Sequence, residues 1–234
     1  MTKRRRALAA AFPLTIPVMA GYIFLGTAFG ILMQQKGYHA GWSALMSLIV
    51  YAGSMQFVAV GLLSSGFHLV QTALMTLLVN ARHLFYGIAM LDKYAGTGRK
   101  KPYLVFSLTD ETFSLLCSAK IPEGVDKGWF YLFTSLLDQI YWIAGSFLGG
   151  VLGSSFSFDT KGIDFAMTAL FVVIFTDQWR TPGSHPPALV GLSASVLCLL
   201  LFGPQNFLLP AMGLILVSLI LLRRPLEKGG EAKC

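Results

Sequence analysis

Four charged side chains lie near the middle of the third, fourth and fifth apolar runs of this chain: Arg82, Asp110, Glu111 and Asp138. A charged side chain at bilayer depth costs at least about 2.5–3.5 kcal/mol on insertion scales. Such groups are therefore expected to serve a function or to pair with one another. Arginine cannot lose its proton in a protein, so Arg82 needs an anionic partner or an anionic ligand such as a carboxylate.

The three carboxyl groups outnumber the one arginine, which can compensate about one of them. The others are expected to be protonated, bound to a cation or open to a water-filled cavity, because burial destabilises the charged form. A buried carboxyl group that gains and loses a proton is what a proton-coupled carrier requires, and His83 could join such a relay. The alternative is a static salt bridge of Arg82 with Asp110 or Glu111 that fixes helix packing.

The helix positions around Arg82 limit its partners. Asn80 is two residues away, about 200° round a helix, so the two side chains point in nearly opposite directions. Either a carboxylate meets Arg82 on its own side or the helix breaks here. We predict substrate-binding roles for Gln56, Asn80, Arg82 and Tyr141, and a proton-coupling or charge network of His83, Asp110, Glu111 and Asp138.

The composition defines the elements that must position these residues. The 234 residues are 55% hydrophobic and only 12% charged, with a mean hydropathy of +0.65, whereas soluble domains carry about 25% charged residues. Lipid must therefore supply part of the solvent. We predict an all-α, polytopic membrane protein with seven or eight transmembrane helices, some of them broken. The apolar runs are 11–33, 42–63, 67–91, 103–119, 129–152, 163–178, 187–201 and 207–222.

Three of these runs look irregular. The first contains prolines, the third is interrupted by Asn80, Arg82 and His83, and the fifth is rich in glycine. The pairs Gly26/Gly30 and Gly145/Gly149 have the spacing that lets helix backbones approach closely. They indicate either helix packing or unwinding beside a substrate site.

Basic residues suggest the domain limits and the orientation. We predict a basic cytoplasmic segment 1–10, a single transmembrane domain 11–222 and a basic tail 223–234. The apolar run after Arg6 is too long for a signal peptide, so it is expected to remain as the first span. With eight full spans and a cytoplasmic N-terminus, Lys and Arg are more frequent inside, although the cluster 99–101 falls outside. A re-entrant segment within 42–91 would move that cluster inside but would also reverse the side of the C-terminal region.

Several function classes lack support in the sequence. The net charge of +7 is concentrated at the ends and in one loop, which suggests topology rather than nucleic-acid binding. The three cysteines show no metal spacing, and no metal or other cofactor is expected. An intramembrane enzyme using Ser54 or Asp110 with His83 would lack a GxSxG or HExxH pattern. A channel, a carrier for another small solute and a purely structural subunit remain alternatives, although mixed charge signs disfavour a simple ion pore.

Several stretches resemble the AzlC/YgaZ family, the large subunits of two-component branched-chain amino acid exporters. They include LLVNARHLFYGIAM, SLTDETFSL and DQIYWIAGSFLGGVLG, and the resemblance runs from about Pro13 to Thr176. It implies export of valine, leucine and isoleucine, with methionine as a further candidate, from the bacterial cytoplasm across the inner membrane. It also implies secondary active transport and a small membrane partner of the AzlD/YgaH type. The chain carries no Walker A sequence, which agrees with transport without ATP hydrolysis.

Overall fold

The structure is a computed structural model that describes residues 2–65, 69–155, 172, 175–176, 179–180 and 185–222. The elements formed by these residues are all helical. The chain divides into two compact units, Met1–Ile163 and Asp164–Lys233, and each is described by itself. The predicted tail 223–234 and most of the predicted span 163–178 lie outside the described residues. The domain limits 1–10, 11–222 and 223–234 stay a prediction.

The described part of the first unit contains seven α-helices, and a short 3₁₀ turn (Gly98–Lys100) precedes the fifth. They are α1 (Lys3–Gln35), α2 (Ala40–Ile49), α3 (Gly53–Ser65), α4 (Leu69–Ala89), α5 (Lys101–Phe106), α6 (Asp110–Ser118) and α7 (Lys127–Ser155).

Helices α1 and α7 run parallel and form the centre of this unit. Arg4 lies over the ring of Trp129 near their first turns, and a Cβ on Gly153 near the end of α7 would touch Gln34. A Cβ on Gly145 would lie 2.8 Å from the carbonyl oxygen of Tyr22, so glycine is required where the backbones meet. The predicted small-residue packing is confirmed.

The long helices carry none of the breaks predicted for them. α1 continues through Pro13 and Pro17, α4 continues through Asn80 and Arg82, and α7 continues through its glycines. Unwinding of the first, third and fifth apolar runs was therefore the wrong alternative. The breaks occur instead in the second and fourth runs.

The second apolar run folds into a hairpin, α2–α3, that begins and ends at the same end of the bundle. Gln56 Nε2 donates a 3.0 Å hydrogen bond to Ser47 Oγ, whereas residues nine apart in a straight helix are about 13 Å apart. The chain reverses at Tyr51, whose φ of 42° is unusual for a bulky residue. Leu63 near the end of α3 shares an apolar groove with Trp42 near the start of α2.

The fourth apolar run forms a second hairpin, α5–α6, from the opposite end. Tyr103 bonds to Gln139 at 2.7 Å and Thr112 bonds to the adjacent Asp138 at 2.8 Å, although nine residues separate the two donors. Lys93, just beyond α4, donates to the carbonyl oxygens at 116 and 117. The end of α6 is therefore held next to the end of α4.

One hydrophobic core lies at the N-terminal end of this unit, which we define as the end where α1 begins. It joins the starts of α1, α5 and α7 to the ends of α4 and α6, and it extends to Leu108 in the turn between α5 and α6. Its buried residues are Ala7, Ala11, Met90, Tyr94, Leu104, Leu108, Leu116, Phe130 and Tyr131. The shared core shows that α5 and α6 both have one end here, so the second hairpin does not traverse the bundle.

Two predictions of the sequence are thereby corrected. The runs 42–63 and 103–119 are not full spans, because each reverses halfway; α1, α4 and α7 traverse the unit. The basic cluster 99–101 was predicted on the side opposite the N-terminus. Lys100 Nζ lies 4.5 Å from the ring centroid of Trp129, which Arg4 also covers at 4.4 Å, so the cluster lies at the N-terminal end.

The outer surface of the helices is apolar. Phe24, Leu84 and Ile88 are 69%, 65% and 65% exposed, which suits contact with lipid rather than water. By length and composition, two described helices could cross a membrane, Lys3–Gln35 and His185–Gly203. Ala40–Ile49 and Gly53–Leu63 are shorter apolar helices, and the total of seven or eight spans stays a prediction.

The described part of the second unit contains α8 (His185–Asn206) and α9 (Leu208–Leu221). Gly203 has a φ of 71° inside α8, where the helix kinks. Leu219 near the end of α9 lines one cavity together with Pro187 and Gly191 near the start of α8. The apolar runs 187–201 and 207–222 therefore form two helices that fold back on each other, and they do not form one long span.

Candidate functional site

The tips of the two hairpins meet halfway along α1 and α7. We call residues 50–52 the first tip and residues 107–109 the second tip. The rings of Tyr51 and Phe106 lie 6.4 Å apart between their centroids, and Tyr22 of α1 reaches Thr109 at 2.7 Å. Each tip places the start of its second helix, α3 or α6, inside the bundle. Irregular backbone at this depth is tolerated where it is covered by protein or lines a cavity.

The second tip ends at a helix cap that the sequence itself specifies. Thr109 precedes α6, and its Oγ1 accepts a 3.3 Å hydrogen bond from the main-chain N–H of Thr112. Threonine is a preferred residue at this position because its hydroxyl satisfies an otherwise unpaired helix N–H. Asp110 and Glu111 occupy the first turn, where negative charge suits the helix dipole.

Arg82 connects the beginnings of α3 and α6. Its Nη1 lies 2.6 Å from Asp110 Oδ2, and its Nη2 donates a 2.8 Å hydrogen bond to Ser54 Oγ. Of the two alternatives for Arg82, the structure shows the first: a carboxylate meets it, and α4 does not break. The Arg82 and Asp110 side chains are 30% and 24% exposed, so the pair is accessible.

Glu111 and Asp138 contact hydroxyl groups instead of a cation. Tyr22 donates a 2.7 Å hydrogen bond to Glu111 Oε2, and Thr112 donates a 2.8 Å bond to Asp138 Oδ2. Asp138 is fully buried, and its Oδ1 has no hydrogen-bond partner among the described residues. Within 2–65 and 69–155, neither carboxyl group forms an ion pair.

Gln56 belongs to a buried cluster that attaches the first hairpin to α7. Its Oε1 accepts from Trp142 Nε1 at 2.8 Å, its Nε2 donates to Ser47, and Ser47 donates to Ser146 at 2.7 Å. Tyr141 likewise has a protein partner, because its hydroxyl lies 3.2 Å from Thr15 Oγ1. Both side chains lie near the tips, but their polar atoms are already bonded.

His83 and Asn80 lie on α4 and contact each other. His83 Nδ1 is 3.2 Å from the main-chain oxygen of Asn80, and its ring packs edge-on against Tyr86. The Asn80 side-chain oxygen is buried without a hydrogen-bond partner among the described residues. Among the described residues, His83 forms no hydrogen bond with Ser54 or Asp110.

The sequence reasoning missed three residues at this site, the hydroxyl groups of Tyr22, Thr109 and Thr112. Tyr22 looked like one more aromatic residue of an apolar run. The threonines carried a usable signal, because Thr109 followed directly by two acidic residues is typical of a helix start. It was overlooked because the surrounding run has the length of a full span.

Parallel helices enclosed by apolar surface, with two half-length hairpins meeting at charged residues, define an α-helical membrane protein. The chain belongs to the AzlC family, because the sequence profile of the AzlC protein family matches residues 17–156. It is 52% identical to the branched-chain amino acid transport protein AzlC of Bacillus subtilis over 231 residues, which cover 97% of this chain and 91% of that protein.

More distant relatives are also membrane proteins. An uncharacterized membrane protein of Helicobacter pylori is 45% identical over 222 residues, covering 95% of this chain and 97% of the relative. The inner membrane protein YgaZ of Escherichia coli is 26% identical over 193 residues, with 78% of each chain covered. No solved structure matches the chain.

Proposed function

We propose that the protein is a secondary transporter that exports branched-chain amino acids across the bacterial inner membrane, coupled to proton movement. Valine, leucine and isoleucine are the substrates, with methionine as a further candidate. The name of the Bacillus subtilis relative supports the substrate class. The observation that carries the proposal is the accessible Arg82–Asp110 pair between the two hairpin tips.

The pair suits a zwitterion because an amino acid carries one charge of each sign. Its α-carboxylate replaces Asp110 at the Arg82 guanidinium, and its α-ammonium takes the place of the guanidinium at Asp110. Every charge then stays paired while the substrate is bound, which avoids the large cost of a buried unpaired charge. Guanidinium groups bind carboxylates with well-directed hydrogen bonds.

The start of α3 supplies further donors for the substrate carboxylate. Ser54 already bonds to Arg82, and the first turn of α3 contains no acidic residue. The main-chain N–H groups and the helix dipole there favour an anion. The first turn of α6, in contrast, carries Asp110 and Glu111. The two hairpins thus present opposite charge preferences to the two ends of a zwitterion.

The other candidate residues differ in how free they are to act. Asn80 has a side-chain oxygen without a hydrogen-bond partner in the described part of the chain and stays a proposed substrate-binding residue. Gln56 and Tyr141 must give up protein hydrogen bonds before they bind a ligand. We assign Glu111 and Asp138 to proton coupling. The predicted role of His83 in the charge network rests on its position on α4, three residues from Asn80.

The distribution of basic residues supports a cytoplasmic N-terminus. In residues 2–155 the end opposite the N-terminus carries only Lys36, and Arg82 lies inside. All other Lys and Arg residues of this segment are at the N-terminal end, namely Lys3, Arg4, Arg5, Arg6, Lys93, Arg99, Lys100, Lys101, Lys120 and Lys127. Cytoplasmic loops are the ones enriched in Lys and Arg.

The proposal is tested by counterflow in liposomes that contain the purified chain. Vesicles are loaded with unlabelled valine, and uptake of external radiolabelled valine is followed at equal pH on both sides. Because the resemblance implies a small AzlD/YgaH-type partner, the chain is reconstituted with and without that subunit. We expect saturable, valine-stimulated uptake that Arg82→Gln abolishes and that Lys36→Gln, an exposed loop change, leaves intact.

The alternatives give different results. A channel would let valine equilibrate without stimulation by internal valine, and a carrier for another solute would show no valine uptake with or without the partner. A purely structural subunit would show normal uptake in Arg82→Gln once the variant is shown to be folded. Any of these outcomes contradicts the proposed role of the pair.

A further inference from the structure

A continuous chain of hydrogen-bonded oxygen atoms links Glu111 to Asp138. The distance from Glu111 Oε2 to the Tyr22 hydroxyl is 2.7 Å, and from there to Thr109 Oγ1 it is also 2.7 Å. The chain continues from Thr109 Oγ1 to Thr112 Oγ1 at 3.1 Å and from Thr112 to Asp138 Oδ2 at 2.8 Å. Three hydroxyl groups thus connect two carboxyl groups contributed by α6 and α7.

The number of protons shared by these hydrogen-bonded oxygen atoms decides their chemistry. Four oxygen–oxygen contacts need four protons, but the three hydroxyl groups supply only three. The fourth must come from a carboxyl group, since two oxygens at hydrogen-bond distance without a proton between them repel each other. With the proton on Glu111, every group donates toward Asp138; with the proton on Asp138, every group donates toward Glu111. Hydroxyl protons rotate freely enough to allow either direction.

We propose that Tyr22, Thr109 and Thr112 form a proton relay between Glu111 and Asp138. The protonated Glu111 gives its proton to the Tyr22 oxygen, Tyr22 gives its own to Thr109, Thr109 to Thr112, and Thr112 to the Asp138 carboxylate. Each hydroxyl group loses one proton and gains one. The net change is one proton moved from Glu111 to Asp138, and the reverse sequence returns it.

Among the described residues, no unpaired cation faces the relay. The other titratable or charged groups that face it come from α4, α5, α6 and the first tip, and they are Arg82, Tyr86, Tyr103, Asp110 and Tyr51. Arg82 is occupied by Asp110, so that pair adds no net charge. The Oδ1 of Asp138 is buried without a hydrogen-bond partner among the described residues, so it is the oxygen from which the proton leaves the relay when a water-filled cavity opens beside it.

The relay exists only while the second hairpin is docked. Tyr22 belongs to α1 and Asp138 to α7, whereas both threonines belong to the second tip and α6. A hairpin that moves away from the continuous α1–α7 pair separates Glu111 from Tyr22 and Thr112 from Asp138. Proton transfer is therefore tied to the position of the hairpin that carries Asp110, a proposed substrate ligand, and this inference rests on the proposed function.

The test separates proton coupling from substrate exchange in the same vesicles. Counterflow at equal pH needs no net proton movement, whereas accumulation driven by an imposed pH gradient does. We expect Thr112→Val to keep counterflow and to lose gradient-driven accumulation down to the level of empty vesicles. Thr112→Ser keeps the hydroxyl group and should retain both activities. Thr134→Val is the matched control, because buried Thr134 donates only to its own helix at Phe130.

Each outcome is decisive. Gradient-driven accumulation by Thr112→Val at the wild-type level overturns the relay. If Thr112→Val also loses counterflow, Tyr22→Phe decides, since it removes one hydroxyl group and keeps the ring that packs against Trp142: loss of accumulation alone supports the relay, and retention of both contradicts it. Wild-type protein without counterflow contradicts the proposed function itself. Wild-type protein that shows counterflow but no accumulation driven by the pH gradient contradicts both proton coupling and the relay.

Discussion

Arg82 of α4 and Asp110 of α6 lie 2.6 Å apart, although α4 traverses the bundle and α6 is half of a hairpin. The pair is the direct ionic link between a crossing helix and a hairpin tip in the described part of the first unit. Because the two side chains are partly exposed, a ligand can reach the link. An experiment can decide whether substrate breaks this salt bridge or whether the salt bridge only fixes the packing of the helices.

The double variant Arg82→Gln/Asp110→Asn distinguishes these roles. Each single change leaves one charge unpaired and is expected to lower the melting temperature, whereas the double change removes both charges and should restore most of it. Counterflow of valine should stay at background in all three variants, because both charges bind substrate. Recovery of transport in the double variant would identify the pair as a static salt bridge.

Cysteine accessibility tests the two hairpins. In a variant without Cys117, Cys198 and Cys234, single cysteines replace Lys36, Lys101 or Lys127, and a membrane-impermeant thiol reagent is added to intact cells. The hairpin fold predicts that Lys101→Cys and Lys127→Cys are labelled from the same side and Lys36→Cys from the other.

Full spans at 42–63 and 103–119 predict a different pattern. Lys36→Cys and Lys101→Cys would then share a side, and Lys127→Cys would lie opposite. Labelling of broken cells provides the control that each cysteine is reactive. The result depends only on the path of the chain and is independent of any transport assay.

The contact between α1 and α7 depends on glycine at Gly30. A Cβ there would approach the main-chain nitrogen of Gly150 to 2.5 Å and the carbonyl carbon of Gly149 to 2.8 Å, so the helices must separate. Gly30→Ala is expected to cost about 1–3 kcal/mol, the range for overpacked interiors. Thermal unfolding in detergent, followed by size-exclusion chromatography, measures the loss.

Gly21→Ala is the matched control on the same helix. A Cβ at Gly21 meets nothing within 4 Å, and alanine favours the helix by up to about 1 kcal/mol. We therefore expect an unchanged or slightly higher melting temperature. Equal destabilisation by both changes would show that α1 does not pack on α7 as described.

Gln56 is expected to stabilise the first hairpin and not to bind substrate directly. Gln56→Met keeps the size of the side chain but leaves the Trp142 N–H without its acceptor, which costs about 1–3 kcal/mol. The melting temperature should fall while the KM for valine in counterflow stays unchanged. Gln35→Met, at the exposed end of α1, is the control. A raised KM for valine with an unchanged melting temperature would instead indicate that Gln56 binds substrate directly.

The sequence predicted which charged side chains lie inside the bundle better than it predicted the path of the chain through the bundle. The free-energy cost of placing a charge in the membrane identified Arg82, Asp110, Glu111 and Asp138. Helix geometry then required a carboxylate beside Arg82 or a break in the helix. Composition cannot show that a 22-residue apolar run reverses at Tyr51, because both halves of a hairpin are as apolar as one span. The misplaced basic cluster 99–101 was the signal that two spans had been counted wrongly.

The prolines and glycines of the long helices caused the opposite error, because breaks were predicted where the helices are continuous. Pro13 and Pro17 suggested a break, yet α1 continues through both. Gly26 and Gly30 serve contact with α7, which holds the backbone helical from outside. Local helix propensity was outweighed by packing that one sequence does not reveal.

The short hairpin helices impose an order on biosynthesis. Helix α2 has ten residues, about 15 Å at 1.5 Å per residue, and α6 has nine, whereas the hydrocarbon core is about 30 Å thick. Neither can be integrated by the translocon as an ordinary transmembrane segment. The second hairpin is synthesised before α7, whose side chains Asp138 and Gln139 anchor it, so it is expected to reach its anchored position only after that helix has emerged from the ribosome. Maturation of the site is thus expected to follow, and not to accompany, insertion of the nascent chain.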